Sequence, residues 1–203
     1  MKQVAAIILA AGQSSRFGVG PEDSKVLVSL NDRPLVRHVA EAALASRARP
    51  VFIVTGEAHQ KIEAVLTGLN IRFLSNPNPA TGLSQSLKIG IKALADDVEG
   101  AIILLADMPY VTAEIIDELF GAFDTAPAGT KAIIPVRAGR RGNPVLLGKD
   151  IFGSVRDIEG DRGARSVLSA QDQGIFELSI DDPAIEIDID TPEMLIRRRD
   201  SAQ

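Results

Sequence analysis

Val4-Ala-Ala-Ile-Ile-Leu-Ala-Ala-Gly-Gln-Ser-Ser-Arg-Phe-Gly18 is the stretch that decides the fold. Val4 to Leu9 is a continuous apolar run, long enough for a strand buried on both faces. The chain then turns small and flexible at Ala10, Ala11, Gly12, Ser14, Ser15, Gly18 and Gly20. Small residues let a backbone approach a ligand closely, and successive free N–H groups after a strand form a concavity for anions. Arg16 and Lys25 add the positive charge that a polyphosphate needs. An ordinary strand–loop–helix corner would use the same small residues, so the two basic side chains are what favour phosphate. The loop has no Gly-Lys-Ser/Thr ending, so it is not a P-loop. No Gly-x-Gly-x-x-Gly follows the strand, so it is not a dinucleotide fingerprint.

Further along, short apolar runs alternate with helical patterns, which predicts βαβ units and a parallel sheet. Strands are expected at Val51–Thr55, Ile71–Leu74, Ala101–Ala106, Ala132–Val136, Val145–Leu147 and Ile175–Ser179. Helices are expected at Pro34–Ser46 with Asp32 as N-cap, His59–Leu66, Gly82–Leu94, Ala113–Phe123 behind Thr112, and up to about Ala170 after the charged loop Asp157–Arg165. Ser84 and Ser86 lie in the first turn of the Gly82 helix, either as an anion or base-edge site or, for Ser84, as a simple cap. Ile185-Glu-Ile-Asp-Ile-Asp190 alternates as a strand would, with Glu186, Asp188 and Asp190 on one face. Thr191-Pro192-Glu193 reads as the start of a last helix.

Composition narrows the chemistry. The 203 residues suit one α/β domain, and 45% are hydrophobic, so the chain is globular. A net charge of −5 with 4% aromatic residues argues against nucleic-acid binding. With no cysteine, a disulfide framework, a thiolate zinc site and a cysteine nucleophile are excluded. His38 and His59 are too few for a His-based metal site or a Ser-His-Asp triad, and both read as surface or boundary residues. Met1-Lys-Gln leads directly into a buried strand and no apolar run reaches ~18 residues, so the expected location is the cytoplasm, with no membrane partner.

Asp107 follows the most hydrophobic run, at the carboxyl end of a central strand, where ligands collect in open α/β sheets. Asp188 and Asp190 end another segment. Carboxylates without sulfur or imidazole partners select Mg²⁺ or Mn²⁺, which complete their shell with phosphate oxygens and water. Each aspartate could instead form a turn, and Asp190 could cap the last helix.

Leu9-Ala-Ala-Gly12, Ser15-Arg16-Phe17-Gly18 and Lys25 together resemble the signature loop of the sugar-nucleotidyltransferase-like superfamily. Here Val19 to Ser24 makes the link to Lys25 longer than the family's. Arg141-Gly142-Asn143-Pro144, Gly160-Asp161-x-Gly163-Ala-Arg165 and Asp188-Ile-Asp190-Thr-Pro-Glu193 resemble segments of its molybdenum cofactor cytidylyltransferase-like branch, the MobA-like domains. The resemblance runs from Val4 to about Ile196. It implies a three-layer α/β/α fold with a mostly parallel Rossmann-like sheet, in a single nucleotidyltransferase domain. Residues 1–124 would be its nucleotide-binding half and 125–203 its acceptor-binding half.

The resemblance also assigns roles. Leu9, Ala10, Ala11, Gly12, Ser15, Arg16, Lys25, Thr81, Gly82, Ser86 and Asp107 would contact the nucleotide. Arg16, Lys25 and Asp107 would be catalytic. Asp107 with Asp190, or Asp188, would hold the metal. Arg141, Gly142, Asn143, Pro144, Asp161 and Arg165 would contact the acceptor. Arginines in loops of this kind could equally be solvated turns, and Asp161 with Arg165 a local ion pair.

The reaction implied is attack of an acceptor phosphate oxygen on the α-phosphorus of CTP, with release of pyrophosphate and molybdopterin as acceptor. A phosphate nucleophile is already ionised, which suits a chain poor in general bases. Leu-Ala-Ala-Gly, rather than Leu-Ala-Gly-Gly, favours cytosine. The alternatives are a transferase using GTP or a sugar phosphate, and a non-catalytic cofactor chaperone serving a molybdoenzyme.

Overall fold

The structure, a computed structural model, describes residues 1–12, 24–158, 164–169, 173–191 and 194; of Arg165, Ser166 and Ser169 it describes the backbone alone. Its centre is β1 (Val4–Ala10), every residue of which is buried. Side chains alternate along a strand. Val4, Ala6, Ile8 and Ala10 therefore enter one apolar core, and Ala5, Ile7 and Leu9 enter another on the opposite face. An apolar run without polar alternation is what a strand covered on both faces requires.

After β1 come a small hairpin of β2 (Ser29–Leu30) and β3 (Arg33–Pro34), helix α1 (Leu35–Ala45), β4 (Val51–Thr55), α2 (His59–Val65) and β5 (Arg72–Ser75). Helix α3 (Leu83–Lys92), β6 (Gly100–Leu105), α4 (Ala113–Thr125), β7 (Ala132–Arg137), β8 (Arg140–Arg141) and β9 (Val145–Gly148) follow. The described chain closes with α5 (Phe152–Val155), α6 (Ala164–Ser169) and β10 (Ile175–Ser179). The main sheet has eight strands in the order β10-β7-β9-β6-β1-β4-β5, with β8 paired to β7. β1 is parallel to both β4 and β6, β4 to β5, and β7 to β10. β9 is antiparallel to β6 and to β7, between which it lies.

Helices cover both faces. α1, α2 and α4 bury Val36, Val39, Ile62, Ile116 and Leu119 in the first core. α3, α5 and α6 bury Leu87, Val155 and Val167 in the second. α3 lies so close to β1 that a Cβ on Gly90 would stand 2.6 Å from Ile7 Cγ2. The expected three-layer, mostly parallel architecture is therefore observed. The chain runs from β1 outward to β4 and β5, then crosses to β6 on the other side of β1. The carboxyl ends of β1 and β6 thus form a topological switch point, where open α/β sheets leave a crevice. Among the described residues no helix is long and apolar enough to cross a membrane.

Three local expectations are corrected. Asp32 does not cap α1, which has Pro34 at that position. Asn31 and Asp32, at φ 51° and 61°, form the two-residue turn of the β2–β3 hairpin, a left-handed geometry that Asn and Asp tolerate. Ser84 does not cap α3 either: Gly82, at φ 92°, occupies the N-cap and Ser84 is buried. Finally, 185–190 is not a strand. Pro183–Glu186 is a 3₁₀ turn whose Asp182 side chain accepts from the Ala184 N–H. Ile185 and Ile189 are buried by the body of the molecule rather than by a ladder, and Ile187 between them is only half-buried. The last-helix expectation at Pro192 and Glu193 lies outside the described residues.

Candidate active site

The switch point gathers residues from three distant parts of the chain. Lys25 opens a 3₁₀ turn, Lys25–Leu27, anchored by buried Val26. Asp107 stands just beyond β6, where Ala106 is held against β1 by its N–H donating to the Leu9 carbonyl at 3.2 Å. Asp190 arrives from the far end of the chain. Its segment is docked by buried Ile189, which packs with Leu30 and Leu35. Alternation along the extended chain sets Asp188 and Asp190 opposite Ile189.

The Lys25 ammonium lies 2.6 Å from Asp107 Oδ2 and 2.5 Å from Asp190 Oδ1. All three side chains are partly shielded, with 18%, 19% and 36% exposure respectively. Burial acts to lower the Lys25 pKa, but the charges and hydrogen bonds of Asp107 and Asp190 outweigh it and hold it above the ordinary lysine value. The Asp188 carboxyl is pushed above the usual carboxylate value, first by burial, then by the charges of Asp190 and Asp107; its own backbone hydrogen bond and Lys25 oppose the shift. Three carboxylates thus share the neighbourhood of this ammonium.

Oxygen donors of this kind suit a hard divalent cation, and Lys25 already occupies the gap between Asp107 and Asp190 as a stand-in positive charge. Among the described residues no group of three or more His, Asp or Glu is arranged as a ready-made metal site. Mg²⁺ does not demand one, because it is commonly held by one or two carboxylates with phosphate oxygens completing the shell.

Leu9, Ala10 and Ala11 are buried at the end of β1, while a Cβ on Gly12 would meet nothing within 4 Å among the described residues. A Cβ on Gly56, just past β4, would stand 3.2 Å from the Ala11 carbonyl oxygen and 3.1 Å from Pro79 Cβ. Ala11, Gly56 and Pro79 are thereby brought together. Ser15 and Arg16 lie outside the described residues.

Asn76 is the keystone of the neighbouring loop. Its N–H donates to the Thr55 carbonyl at 2.7 Å, its Nδ2 donates to Ser86 Oγ at 3.0 Å, and its Oδ1 accepts from the Asn78 N–H at 3.0 Å. Ser86 is buried and turned to this task. Thr81 is exposed and donates to the Asn78 carbonyl at 2.6 Å, and Gly82 begins α3. His59 Nδ1 lies 2.6 Å from the Thr55 hydroxyl, and His38 Nε2 lies 2.8 Å from the Leu30 carbonyl. Both histidines are half-buried and structurally engaged.

The basic hairpin β7–β8 grips the segment that carries Asp188 and Asp190. A Cβ on Gly142 would stand 2.5 Å from the Ile185 carbonyl oxygen, so glycine alone fits that approach without displacement. The Asn143 N–H donates to the same carbonyl at 2.8 Å, and Pro144 follows. Arg141 pairs with Glu177 of β10 at 2.7 Å. Arg137 and Arg140 pair with Glu186 at 3.3 and 2.9 Å. Glu186 therefore serves the hairpin and not the carboxylate group its spacing suggested. Its exposure of 17%, against Asp190's 36%, marks that inward position. Reading the charge complement of Arg137 and Arg140 against the acidic segment was the available signal. Asp161 lies outside the described residues, and Arg165 falls in α6 with its backbone alone described.

The model of the MobA-like NTP transferase domain family matches residues 6–175. The chain belongs to that family. As a MobA-like chain it is a nucleotidyltransferase, related to the molybdenum cofactor cytidylyl- and guanylyltransferases. It is 25% identical over 200 residues to the molybdenum cofactor cytidylyltransferase of Escherichia coli K12, covering 98% of this chain and 97% of that one. It is 27% identical over 198 residues to nicotine blue oxidoreductase of Paenarthrobacter nicotinovorans, covering 96% and 95%. In fold it is similar to Rv0371c of Mycobacterium tuberculosis H37Rv in complex with manganese, with a TM-score of 0.76, 18% identity and 97% of each chain covered.

Proposed function

We propose that this MobA-like chain transfers CMP from CTP to the phosphate of a molybdopterin-type acceptor, releasing pyrophosphate. The observation that carries this reading is the meeting of Lys25, Asp107 and Asp190 at the carboxyl ends of β1 and β6. Such a group serves charge neutralisation and alignment, which dominate phosphoryl chemistry.

Residues 1–124 would bind the nucleotide and 125–203 the acceptor, within one domain. The Leu9–Gly12 backbone would face the base and ribose, with Thr81, Gly82 and the Asn76–Ser86 tie shaping the wall beside them. Arg16 and Lys25 would neutralise the triphosphate and the leaving pyrophosphate. Asp107 and Asp190, with Asp188 beside them, would hold Mg²⁺ or Mn²⁺. When bound, that ion would polarise the phosphate oxygens and offset their charge. The manganese complex of Rv0371c supports a divalent ion in this fold. Arg141, Gly142, Asn143 and Pro144, with Asp161 and Arg165, would define the acceptor side. There Gly142 and Asn143 would act through the 185–190 segment. No catalytic base is required, because the acceptor phosphate is already an anion. The reaction would run in the cytoplasm, with a molybdoenzyme or its chaperone as recipient.

Pyrophosphate release with each of the four ribonucleoside triphosphates and purified cofactor tests this reading. CTP should support release, and Asp107→Ala should abolish it. Release with GTP instead would move the chain to guanylyl transfer, and release with a sugar phosphate in place of the cofactor would change the acceptor. No release with any nucleotide, together with tight cofactor binding, would make the chain a cofactor chaperone.

A further inference from the structure

The geometry points to Lys25 and the divalent ion as alternative occupants of one gap, so that arrival of the metal moves the lysine from carboxylates to phosphate. This rests on Asp107 and Asp190 being the metal carboxylates.

The ammonium sits 2.6 Å from Asp107 Oδ2 and 2.5 Å from Asp190 Oδ1. Mg²⁺ binds oxygens at about 2.0–2.1 Å. An ion bonded to those same oxygens would therefore lie in near contact with the ammonium, cation against cation. The two cannot share the gap. Asp107 and Asp190 come from distant parts of the chain, and Lys25 bridges them. Before metal binds, the lysine thus keeps two like charges together and the gap in shape for a small cation. Lysine is suited to such an exchange: its charge is compact and its four-carbon stem flexible. The ammonium released from the carboxylates is then available to a phosphate oxygen. Metal and nucleotide each favour the state in which the other binds, so their affinities are coupled reciprocally. An enzyme built this way avoids a metal-loaded site without nucleotide, because the metal must first displace a charge-assisted pair.

The test measures Mn²⁺ binding to the full chain without nucleotide, by the electron paramagnetic resonance signal of free Mn²⁺. Removing the competitor in Lys25→Met should tighten Mn²⁺ binding about tenfold, in line with the loss of strong charge-assisted hydrogen bonds. Lys25→Arg, which keeps a cation in the gap, should stay near the parent, and Asp107→Ala should lose binding. In the parent protein, the Lys25 ammonium resonance, assigned by its loss in Lys25→Arg, should shift as Mg²⁺ saturates the site. Equal or weaker binding in Lys25→Met, with Asp107→Ala still defective, would overturn the exchange and leave the metal site standing. An ammonium resonance unmoved at Mg²⁺ saturation would overturn it as well, even if Lys25→Met fails to fold. Unchanged Mn²⁺ binding in Asp107→Ala would overturn the metal site and the exchange together.

Discussion

The backbone N–H of Ile189 donates to the carbonyl of Asp107 at 2.9 Å. One hydrogen bond thereby sets the distance between the segment after β6 and the segment bearing Asp188 and Asp190. The Ile189 side chain is fully buried against Leu30 and Leu35, so the bond is held by packing.

Ile189→Ala should therefore act twice. The lost side chain should lower unfolding free energy by about 2–4 kcal/mol, the usual cost of emptying a buried Ile site. The loosened segment should also weaken Mn²⁺ binding, because the Ile189–Asp107 contact holds Asp188 and Asp190 beside Asp107. Denaturant unfolding and Mn²⁺ titration on the same preparation would check both; a stability loss with unaltered metal affinity would show that Ile189 does not position the carboxylates.

Gly142→Ala should disturb the same segment from the other side. Its Cβ would lie 2.5 Å from the Ile185 carbonyl oxygen and 2.9 Å from Ile185 Cβ, so backbone must move. The expected cost is about 1–3 kcal/mol, with a loss of transferase activity. Asn143→Ala is the control, because the bond to Ile185 is made by its backbone N–H and survives the change. Thermal melts of the two variants should separate clearly.

Glu186→Gln leaves Arg137 and Arg140 without their shared carboxylate. Arg140 is well exposed, so solvent screening limits the loss to about 1 kcal/mol or less. The difference from the parent should shrink in high salt. Melting curves at low and high ionic strength would detect it.

Asp188 makes stability depend on pH in an unusual direction. Burial and the neighbouring carboxylates raise its pKa in the folded state above the unfolded value of 3.8. A raised carboxyl favours folding while protonated. That contribution is complete below the unfolded pKa and is lost as pH rises through the folded one. In metal-free buffer at neutral pH, Asp188→Asn should therefore match or exceed the parent in stability, and the advantage should fade as pH falls below the carboxylate range. A variant less stable than the parent at neutral pH, with the gap closing in acid, would contradict this sign.

Much of the architecture was legible because parallel strands covered on both faces need unbroken apolar runs. Val4–Leu9, Val51–Thr55 and Ala101–Ala106 could hardly be anything else. Asp107 was legible for a related reason, since it ends the most hydrophobic of them. The antiparallel insertion of β9 was not, because Val145–Leu147 is apolar whichever way it runs and strand order depends on long-range pairing. Asp32 resembled a cap because the same side chain that caps a helix also tolerates a left-handed turn. The 185–190 segment resembled a strand because its Ile residues alternate with acidic ones, yet of the three only Ile185 and Ile189 are buried, the first of them in a 3₁₀ turn. Lys25 is the informative case. Its distance in sequence from Gly18 left its reach open, and only the folding back of residues 182–191 brings it between Asp107 and Asp190.

β9 also bears on how such a chain could diversify. It belongs to the part of the sequence beyond residue 124, yet it pairs with β6 from Gly100↔Gly148 to Ile103↔Val145 and feeds side chains into both cores. A fragment ending at residue 124 would leave the β6 edge open, a hydrophobic template for self-association. β9 thus ties residues beyond 124 into the same sheet as those before it, beside the contacts that Ile189 makes with Asp107, Leu30 and Leu35. A change that leaves this sheet whole must fall on the loops at its edges rather than on β9.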